Sequence, residues 1–551
     1  MNRHVYFCFL FVIVFSTSVR AGDIKRFDVI ELSMQVKKLP ANPFRDIEIV
    51  ALMKSPDGSS IKVDGFYHKD KTWTVRYSPK IIGTWKYTLL LKENGKQKKQ
   101  MGTFKCVASS LKGFMRISKS NPYRFVTEDG KPFYPIGQQL GWGVPDRIGF
   151  DGLNASESNH TDRVNFMKAF HGKTNLIRSQ LSAGNKAGVA LPIIKGADIL
   201  NRYDLEACEK IDESCRVIKA NGWAQIIIFF QDMSLWGNKS TSFGKVRDLT
   251  NYKNLKGKHL KNIEHYMRYV VARWGAYCDI WELFNEDAFS PDDFLKHLAK
   301  VVRAADPYKH LMMTSYERPE ADWCEVISLH EYMALPSERV PGHLSKEIGR
   351  FKSFGKPVLY TEFGNQKPHG NVAPVKWRVS AWTAFMNESA LTFWNTSGKI
   401  IPDIPSWGGN PNAYMGAKTR DYMKVLADYT AKLPINLRPT IAYTDHQEIE
   451  LWALANKDLS VLYLHNPGGY EKEIKAEQFI VGSSLGSYTL TWMDPATGKT
   501  LGESETVKSR GLSMWLKPPA FKTDLVATLR KIPDVKIPVD TPKQKNKPNE
   551  K

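Results

Sequence analysis

Short apolar runs alternate with amphipathic stretches through the middle of the 551-residue chain. The runs span residues 133–137, 174–178, 224–230, 279–284, 310–314, 326–329, 357–361 and 390–394. Stretches between them, such as 163–170, have the apolar spacing of a helix that packs on a sheet. Eight such runs over about 260 residues match a single (β/α)8 barrel in number and length. A doubly wound open sheet is the alternative, but no glycine-rich phosphate loop follows the first run.

The segments on either side of this region have the short, period-two runs of antiparallel strands. The clearest runs span residues 46–52, 73–77, 84–89, 449–454, 459–464 and 487–492. Turn signals such as Ser55-Pro56-Asp57-Gly58 separate them. We therefore predict a multidomain α/β plus β protein, in which a central TIM barrel is flanked by two β-sandwich domains. The expected boundaries are 22–112 for the first sandwich, 113–435 for the barrel and 436–530 for the second sandwich.

Both ends of the chain are predicted to lie outside the fold. Basic residues near the start precede an apolar stretch over residues 5–15, and a small residue stands at Ala21. This pattern predicts a cleaved signal peptide at 1–21 and a secreted or periplasmic protein. The apolar stretch is shorter than the roughly 20 residues that a span requires, so no integral membrane segment is expected. The Lys/Pro-rich tail, 531–551, is predicted to be disordered.

The chain is strongly basic, with a formal charge of +21. The tail contributes +3 and the signal peptide +2, so the remaining body carries +16. Its lysines are dispersed and no nucleic-acid-binding module is recognisable, so we expect no nucleic-acid partner. The charge favours an anionic polysaccharide substrate or a negatively charged cell envelope. Five scattered cysteines would remain after cleavage, with neither a disulfide framework nor zinc-ligand spacing, and we predict no metal or cofactor.

Two glutamates stand at the carboxyl ends of apolar runs. Glu286 follows the run 279–284, and Glu362 follows the run 357–361. Of three Asn-Glu pairs, only Asn285-Glu286 follows a β-prone run; the competing interpretation for Glu286 is a solvated carboxylate near a helix cap. Strand ends of a barrel converge on one site, where two carboxylates about 5 Å apart can hydrolyse a glycosidic bond with retention of configuration.

Other residues stand where such a site would need them. The candidates are Arg178 at the end of the second run, His330 and Tyr332 at the end of the sixth, Trp394 at the end of the eighth, and Trp142 in a loop. A cation could hold a carboxylate ionised, and indole rings are natural platforms for the apolar faces of sugars. The competing interpretations are a structural ion pair for the arginine and core packing for the tryptophans.

Taken together, these residues resemble the retaining (β/α)8 glycoside hydrolases of clan A, a group with cellulase-like, mannanase-like and β-galactosidase-like families. The resemblance implies that Glu286 is the acid/base and Glu362 the nucleophile. It also implies that Asn285 binds a sugar hydroxyl and that Arg178 and Tyr332 support the nucleophile. His330 and Trp394 would line the subsite of the cleaved sugar, and Trp142 is a further substrate-binding candidate from its loop at the same end of the barrel.

The segments before and after the barrel region resemble a smaller group within these glycoside hydrolases. Residues 83–87 and 129–133 are similar to the N-terminal sandwich of Bacteroidetes-type glycosidases, and 491–498 is similar to their C-terminal β domain of the collagen-binding-like type. Gln138-Gln139 and Gln231-Asp232 depart from these relatives at positions that shape the sugar pocket, so the substrate is not carried over. We expect an exported retaining glycosidase acting on a plant, algal or host polysaccharide or oligosaccharide. The alternative is a non-catalytic carbohydrate-binding or adhesion protein on the same scaffold.

Overall fold

A computed structural model of the protein describes most of the chain. The described residues are 19–139, 170–181, 201–231, 258–288, 290–333, 335–364, 374–393, 417–475 and 478–533. The chain divides into two compact units, Met1–Ile435 and Asn436–Lys551.

The N-terminal part of the first unit is a β-sandwich. Its strands are β1 Val19–Lys25, β2 Ile30–Gln35, β3 Ile47–Lys54, β4 Ser60–Asp64, β5 Phe66–Lys69, β6 Thr72–Tyr77, β7 Gly83–Glu93 and β8 Lys96–Val107. They form a five-stranded sheet in the order β1-β8-β7-β3-β4 and a three-stranded sheet in the order β2-β6-β5. β1 begins within the segment predicted to be a signal peptide, and the cleavage site stays a prediction.

The barrel follows a small antiparallel sheet of β9 Met115–Ile117, β10 Phe125–Thr127 and β11 Pro132–Phe133. Its strands are β12 Ile136–Gln139, β13 Leu176–Gln180, β14 Ala224–Gln231, β15 Ile280–Asn285, β16 Leu311–Met313, β17 Ile327–Tyr332, β18 Val358–Gly364 and β19 Ala390–Phe393. All recorded pairings in this sheet are parallel, and the order is β16-β15-β14-β13-β12-β19-β18-β17. Because the two outermost strands are consecutive in the chain, the sheet is a nearly closed (β/α)8 barrel. Each of the eight predicted runs overlaps one of these strands, so the predicted barrel is confirmed.

Helices connect the strands. Among the described residues they are α1 Leu205–Ala220, α2 Lys258–Trp274, α3 Asp292–Ala305, α4 Val340–Lys352, α5 Pro374–Met386 and α6 Ala417–Thr430, with a short 3-10 helix at Ser337–Arg339. The Asp204 side chain caps the start of α1 by accepting from the Ala207 amide. In the described part of the chain, no helix is long and apolar enough to span a membrane.

An ion cluster joins the sandwich to the barrel helices. This junction cluster consists of Arg76 on β6, Asp212 on α1, Arg273 on α2 and the half-exposed Glu31 on β2. Arg76 donates to both oxygens of Asp212 at 2.8 Å, and Arg273 does so at 3.1 and 2.7 Å. Both guanidinium groups also lie over the Phe66 ring, at 4.9 and 5.0 Å. Planar, multidentate contacts of this kind satisfy buried charges that would otherwise be costly to desolvate.

The second unit is also a sandwich. Its strands are β20 Arg438–Pro439, β21 Ala442–Tyr443, β22 Glu450–Ala455, β23 Leu459–His465, β24 Phe479–Ser483, β25 Gly486–Met493, β26 Thr500–Ser509, β27 Leu512–Leu516 and β28 Asp524–Lys531. Six form one sheet, β20-β22-β23-β28-β25-β26, and three form another, β21-β24-β27. Alternate apolar residues of both sheets, such as Leu462, Val481 and Met514, make its core. The predicted fold class, a barrel with flanking β domains, is thus confirmed.

Candidate active site

The ends of β15 and β18 place the two glutamates. Asn285 is the last residue of β15, and Glu286 follows it with a φ of 51°, a region that residues other than glycine rarely adopt. Glu362 lies within β18, all of whose residues are buried. The Glu286 side chain is 32% exposed and that of Glu362 only 5%, so the two carboxylates differ in access to solvent.

A bulge in β18 turns two successive side chains towards the site. β17 pairs Leu329 with Tyr360 and then His330 with Glu362, so Thr361 is the extra residue. A bulge breaks the alternation of a strand and re-aims the side chains beside it. Consequently the side chains of both Thr361 and Glu362 lie within 3.7 Å of the His330 ring nitrogens. The Tyr360 hydroxyl instead donates to Glu347 of α4.

Arg178 is the centre of the site's polar network. It is fully buried and donates to both oxygens of Glu282 at 2.7 and 2.6 Å. It also donates at 2.6 Å to Glu362 and at 2.6 Å to the Asn285 side chain. Charge-assisted hydrogen bonds from a buried guanidinium are short and directional, so this contact orients the Glu362 carboxylate and gives it a cationic partner.

Two residues of β17 contact the glutamates from the other side. The Tyr332 hydroxyl donates a short hydrogen bond to Glu362, and His330 Nδ1 lies 2.9 Å from Glu286 and 3.7 Å from Glu362. Burial and the negative charge of Glu362 raise the pKa of Tyr332, so this hydroxyl keeps its proton as a donor. Burial acts to raise the pKa of Glu286, but the hydrogen bond and charge of His330, together with Arg178, lower it below its usual value.

One carboxylate oxygen each of Glu286 and Glu362 and one ring nitrogen of His330 lie within 4.8 Å of one another, which is close enough for these atoms to coordinate a metal ion. Here the direct hydrogen bonds of His330, Arg178 and Tyr332 account for the close approach. Within the described ranges a second such group, Glu331, His343 and Glu347, lies between β17 and α4.

Four buried residues of the site were not predicted from sequence. They are Glu282, Ser315, Ser328 and Thr361. Glu282 carried a usable signal, because a carboxylate in the middle of the apolar strand β15 requires a buried cation as partner. The three hydroxyl residues carried none, since serine and threonine are ordinary in strands and turns.

The structure brings together six of the predicted residues. They are Arg178, Asn285, Glu286, His330, Tyr332 and Glu362. Trp142 and Trp394 lie outside the described residues. A (β/α)8 barrel with paired glutamates near the carboxyl ends of two non-adjacent strands, β15 and β18, is the class that the fold and the site define.

Comparisons with known proteins agree at the level of the fold. Residues 23–92 match a domain of unknown function, DUF5060, and no curated protein matches the chain. A crystal structure from Bacteroides vulgatus ATCC 8482, described as a "putative glycoside hydrolase", is 16% identical with a TM-score of 0.69, and the match covers 93% of this chain and 100% of that chain. A family 5 glycoside hydrolase from the same organism is 15% identical with a TM-score of 0.55, over 76% of this chain and 93% of that one. The chain therefore has a glycosidase-like fold.

Proposed function

We propose that the protein is an exported glycoside hydrolase that cleaves O-glycosidic bonds with retention of configuration. The observation that carries the proposal is the approach of Glu286 and Glu362, which have carboxylate oxygens within 4.8 Å of each other. Carboxyl groups of inverting enzymes stand about 6.5–9.5 Å apart, whereas those of retaining enzymes stand about 5–5.5 Å apart. The spacing supports a nucleophile and an acid/base rather than two carboxylates with a water between them.

The contacts of each glutamate support its role. Glu362 is buried and accepts from Arg178 and Tyr332, so it is held as an anion for attack on the anomeric carbon. Glu286 is more exposed and lies 2.9 Å from His330 Nδ1, so a proton held between these two side chains can pass to the leaving oxygen as the covalent bond to Glu362 forms. Glu286 then accepts a proton from water, the water oxygen attacks the anomeric carbon, and the bond to Glu362 breaks.

The decisive experiment removes the nucleophile and supplies a substitute. Glu362→Ala should abolish hydrolysis of an activated aryl glycoside, and added azide should restore cleavage with formation of an inverted glycosyl azide. Glu286→Gln should lose about 10²–10⁴-fold activity on substrates with poor leaving groups and much less on activated ones. Full activity of Glu362→Ala without azide would refute the assignment.

The chain offers a matched control at Glu388. It also follows an asparagine, has a positive φ of 60° and is buried. Its carboxylate accepts from Asn121 at 2.7 Å and from Lys352 at 2.5 Å, which are structural contacts. Glu388→Gln should keep the turnover of folded protein and lower only its stability.

The substrate class follows from the sequence and is part of the proposal. A polysaccharide or oligosaccharide is expected, and the basic body favours an anionic one. Comparing neutral and acidic polysaccharides with the wild-type protein tests this point. Tight binding of an oligosaccharide with no product after days would instead establish a non-catalytic carbohydrate-binding protein.

A further inference from the structure

A line of buried hydroxyl groups runs behind the two glutamates and connects His330 to Glu282. His330 Nε2 lies 3.1 Å from Thr361 Oγ1, which lies 2.5 Å from Ser328 Oγ. Ser328 Oγ lies 3.4 Å from Ser315 Oγ, and Ser315 donates to Glu282 at 2.6 Å. We call Thr361, Ser328 and Ser315 the hydroxyl relay; all three are at most 1% exposed.

The direction of the relay follows from counting protons. Ser315 donates its proton to Glu282, which also accepts two hydrogen bonds from Arg178. The Ser315 oxygen must then accept from Ser328, and the Ser328 oxygen must accept from Thr361. Three hydroxyls supply three protons for four contacts, so the fourth proton comes from Nε2–H of His330. In the reverse direction, the contact between Ser328 and Ser315 would contain no proton.

We propose that the hydroxyl relay holds a ring proton on Nε2 of His330 and thereby keeps one exchangeable proton on the pair formed by His330 and Glu286. This inference rests on the proposed function, since it gives Glu286 the proton that a general acid must deliver. Thr361, Ser328 and Ser315 are positioning residues that act through His330.

The charges around His330 agree with a retained proton. The ring of His330 faces Glu286 and Glu362. Tyr332 and Arg178 are hydrogen-bonded to Glu362. Glu282 lies at the far end of the relay, where it accepts from Ser315. When the pair loses its proton, the neutral His330 ring has only one N–H group. Two contacts each require an N–H donor, namely that of Nδ1 with Glu286 and that of Nε2 with Thr361. An unmade buried hydrogen bond disfavours that state. When the pair is protonated, both contacts are made.

The test measures the titration of His330 by ¹H–¹⁵N NMR in the full-length free protein. Its signal among the 13 histidines is assigned by its loss in His330→Gln. Ser315→Ala frees Ser328 to donate to Thr361 and Thr361 to donate to Nε2, so the relay can reverse. The midpoint of His330 should then fall by about one pH unit, the value of roughly one neutral hydrogen bond. Thr361→Val should lower the midpoint of His330 at least as much. Thr361→Ser keeps the hydroxyl, so its midpoint should equal that of the wild type.

Thr314→Val is the matched control. Thr314 precedes Ser315 and is buried, but its hydroxyl donates to the carbonyl oxygens of Phe284 and Ser315. Its substitution should leave the midpoint of His330 unchanged. If Ser315→Ala and Thr361→Val also leave the midpoint unchanged, or raise it, the relay proposal is wrong.

Activity provides a separate readout. In folded Ser315→Ala, the alkaline limb of kcat/KM should move to lower pH by the same amount as the His330 midpoint. A shifted midpoint in a protein without glycosidase activity would retain the relay and refute the proposed function. Glycosidase activity in a protein whose His330 midpoint does not shift would support the proposed function and refute the relay.

Discussion

Two buried arginine clusters of similar chemistry lie in the first unit, and they differ in charge balance. The junction cluster has two guanidinium groups for two carboxylates. The cluster around Arg178 has one guanidinium for three carboxylates, Glu282, Glu286 and Glu362. Balanced charges can satisfy one another permanently, whereas surplus carboxylates require protons or a ligand.

The consequences for Asp212 and Glu286 differ accordingly. Burial acts to raise the pKa of Asp212, but its hydrogen bonds to Arg76 and Arg273 and their charges hold it well below its usual value. That carboxylate has no exchangeable proton at ordinary pH. Glu286 instead lies 2.9 Å from His330 Nδ1, a second titratable group. Under the proposed function, an excess of negative charge in a buried cluster is therefore the feature that distinguishes the reactive centre from the structural one.

Among the substitutions that compare the two clusters, removal of Arg178 should have the largest effect on catalysis. Arg178→Met leaves Glu282 and Glu362 buried without their cation, so both should take up protons and the nucleophile should become neutral. We expect kcat/KM to fall by about 10³-fold, since a broken buried ion pair costs about 3–5 kcal/mol and each 1.4 kcal/mol is tenfold. The acid limb of the pH profile should move to higher pH. An unchanged profile would contradict the role given to Arg178.

Removing Asp212 should disrupt the junction cluster without changing the turnover of the folded protein. Asp212→Asn leaves Arg76 and Arg273 without their shared carboxylate, and the free energy of unfolding should fall by about 3–5 kcal/mol. Urea titration measures this loss, and active-site titration should show unchanged turnover per folded molecule. Loss of turnover in the folded variant would remove the distinction between the clusters.

Removing the Tyr332 hydroxyl sharpens the comparison within the active site. Tyr332→Phe deletes one donor to Glu362 and leaves Arg178 in place. A hydrogen bond to a charged group contributes about 1.5–3 kcal/mol, so kcat/KM should fall by about 10–100-fold. Tyr360→Phe is the control, because the Tyr360 hydroxyl donates to Glu347.

The smallest effect concerns acid stability. The folded-state pKa of Asp212 lies below its unfolded value of about 3.9, so its contribution is complete above that pH and is lost as pH falls towards the folded pKa. The stability difference between wild type and Asp212→Asn should therefore be constant from pH 7 to 5. Below about pH 4 it should shrink by at most about 1.4 kcal/mol per pH unit. Urea titrations at pH 7, 4 and 3 measure this, and shrinkage already between pH 7 and 5 would contradict it.

The sequence predicted what depends on local pattern. Period and run length located all eight barrel strands, and the strand-end rule selected Glu286 and Glu362. Contacts across the fold were not predictable in this way. Arg76 and Asp212 are 136 positions apart, and neither has a neighbour that signals the other.

The hydroxyl relay shows why part of the site was missed. Ser315, Ser328 and Thr361 meet because β17 and β18 are paired, because the segment after β16 brings Ser315 to Ser328, and because a bulge turns Thr361 inward. A bulge adds one residue to one strand and has no fixed composition, so alternation along β18 does not predict it. Glu282 could have been predicted, since its strand is otherwise apolar or uncharged.

The positions of the cysteines give the junction cluster a chemical reporter. Cys208 and Cys215 lie four residues before and three residues after Asp212 on α1, and both are buried free thiols. Burial raises the pKa of each thiol to about 12, and only a thiolate reacts readily with alkylating reagents. Alkylation of these two positions, followed peptide by peptide in native protein, therefore measures how often α1 opens, and this rate can be compared directly between the wild type and variants of the sandwich–barrel junction.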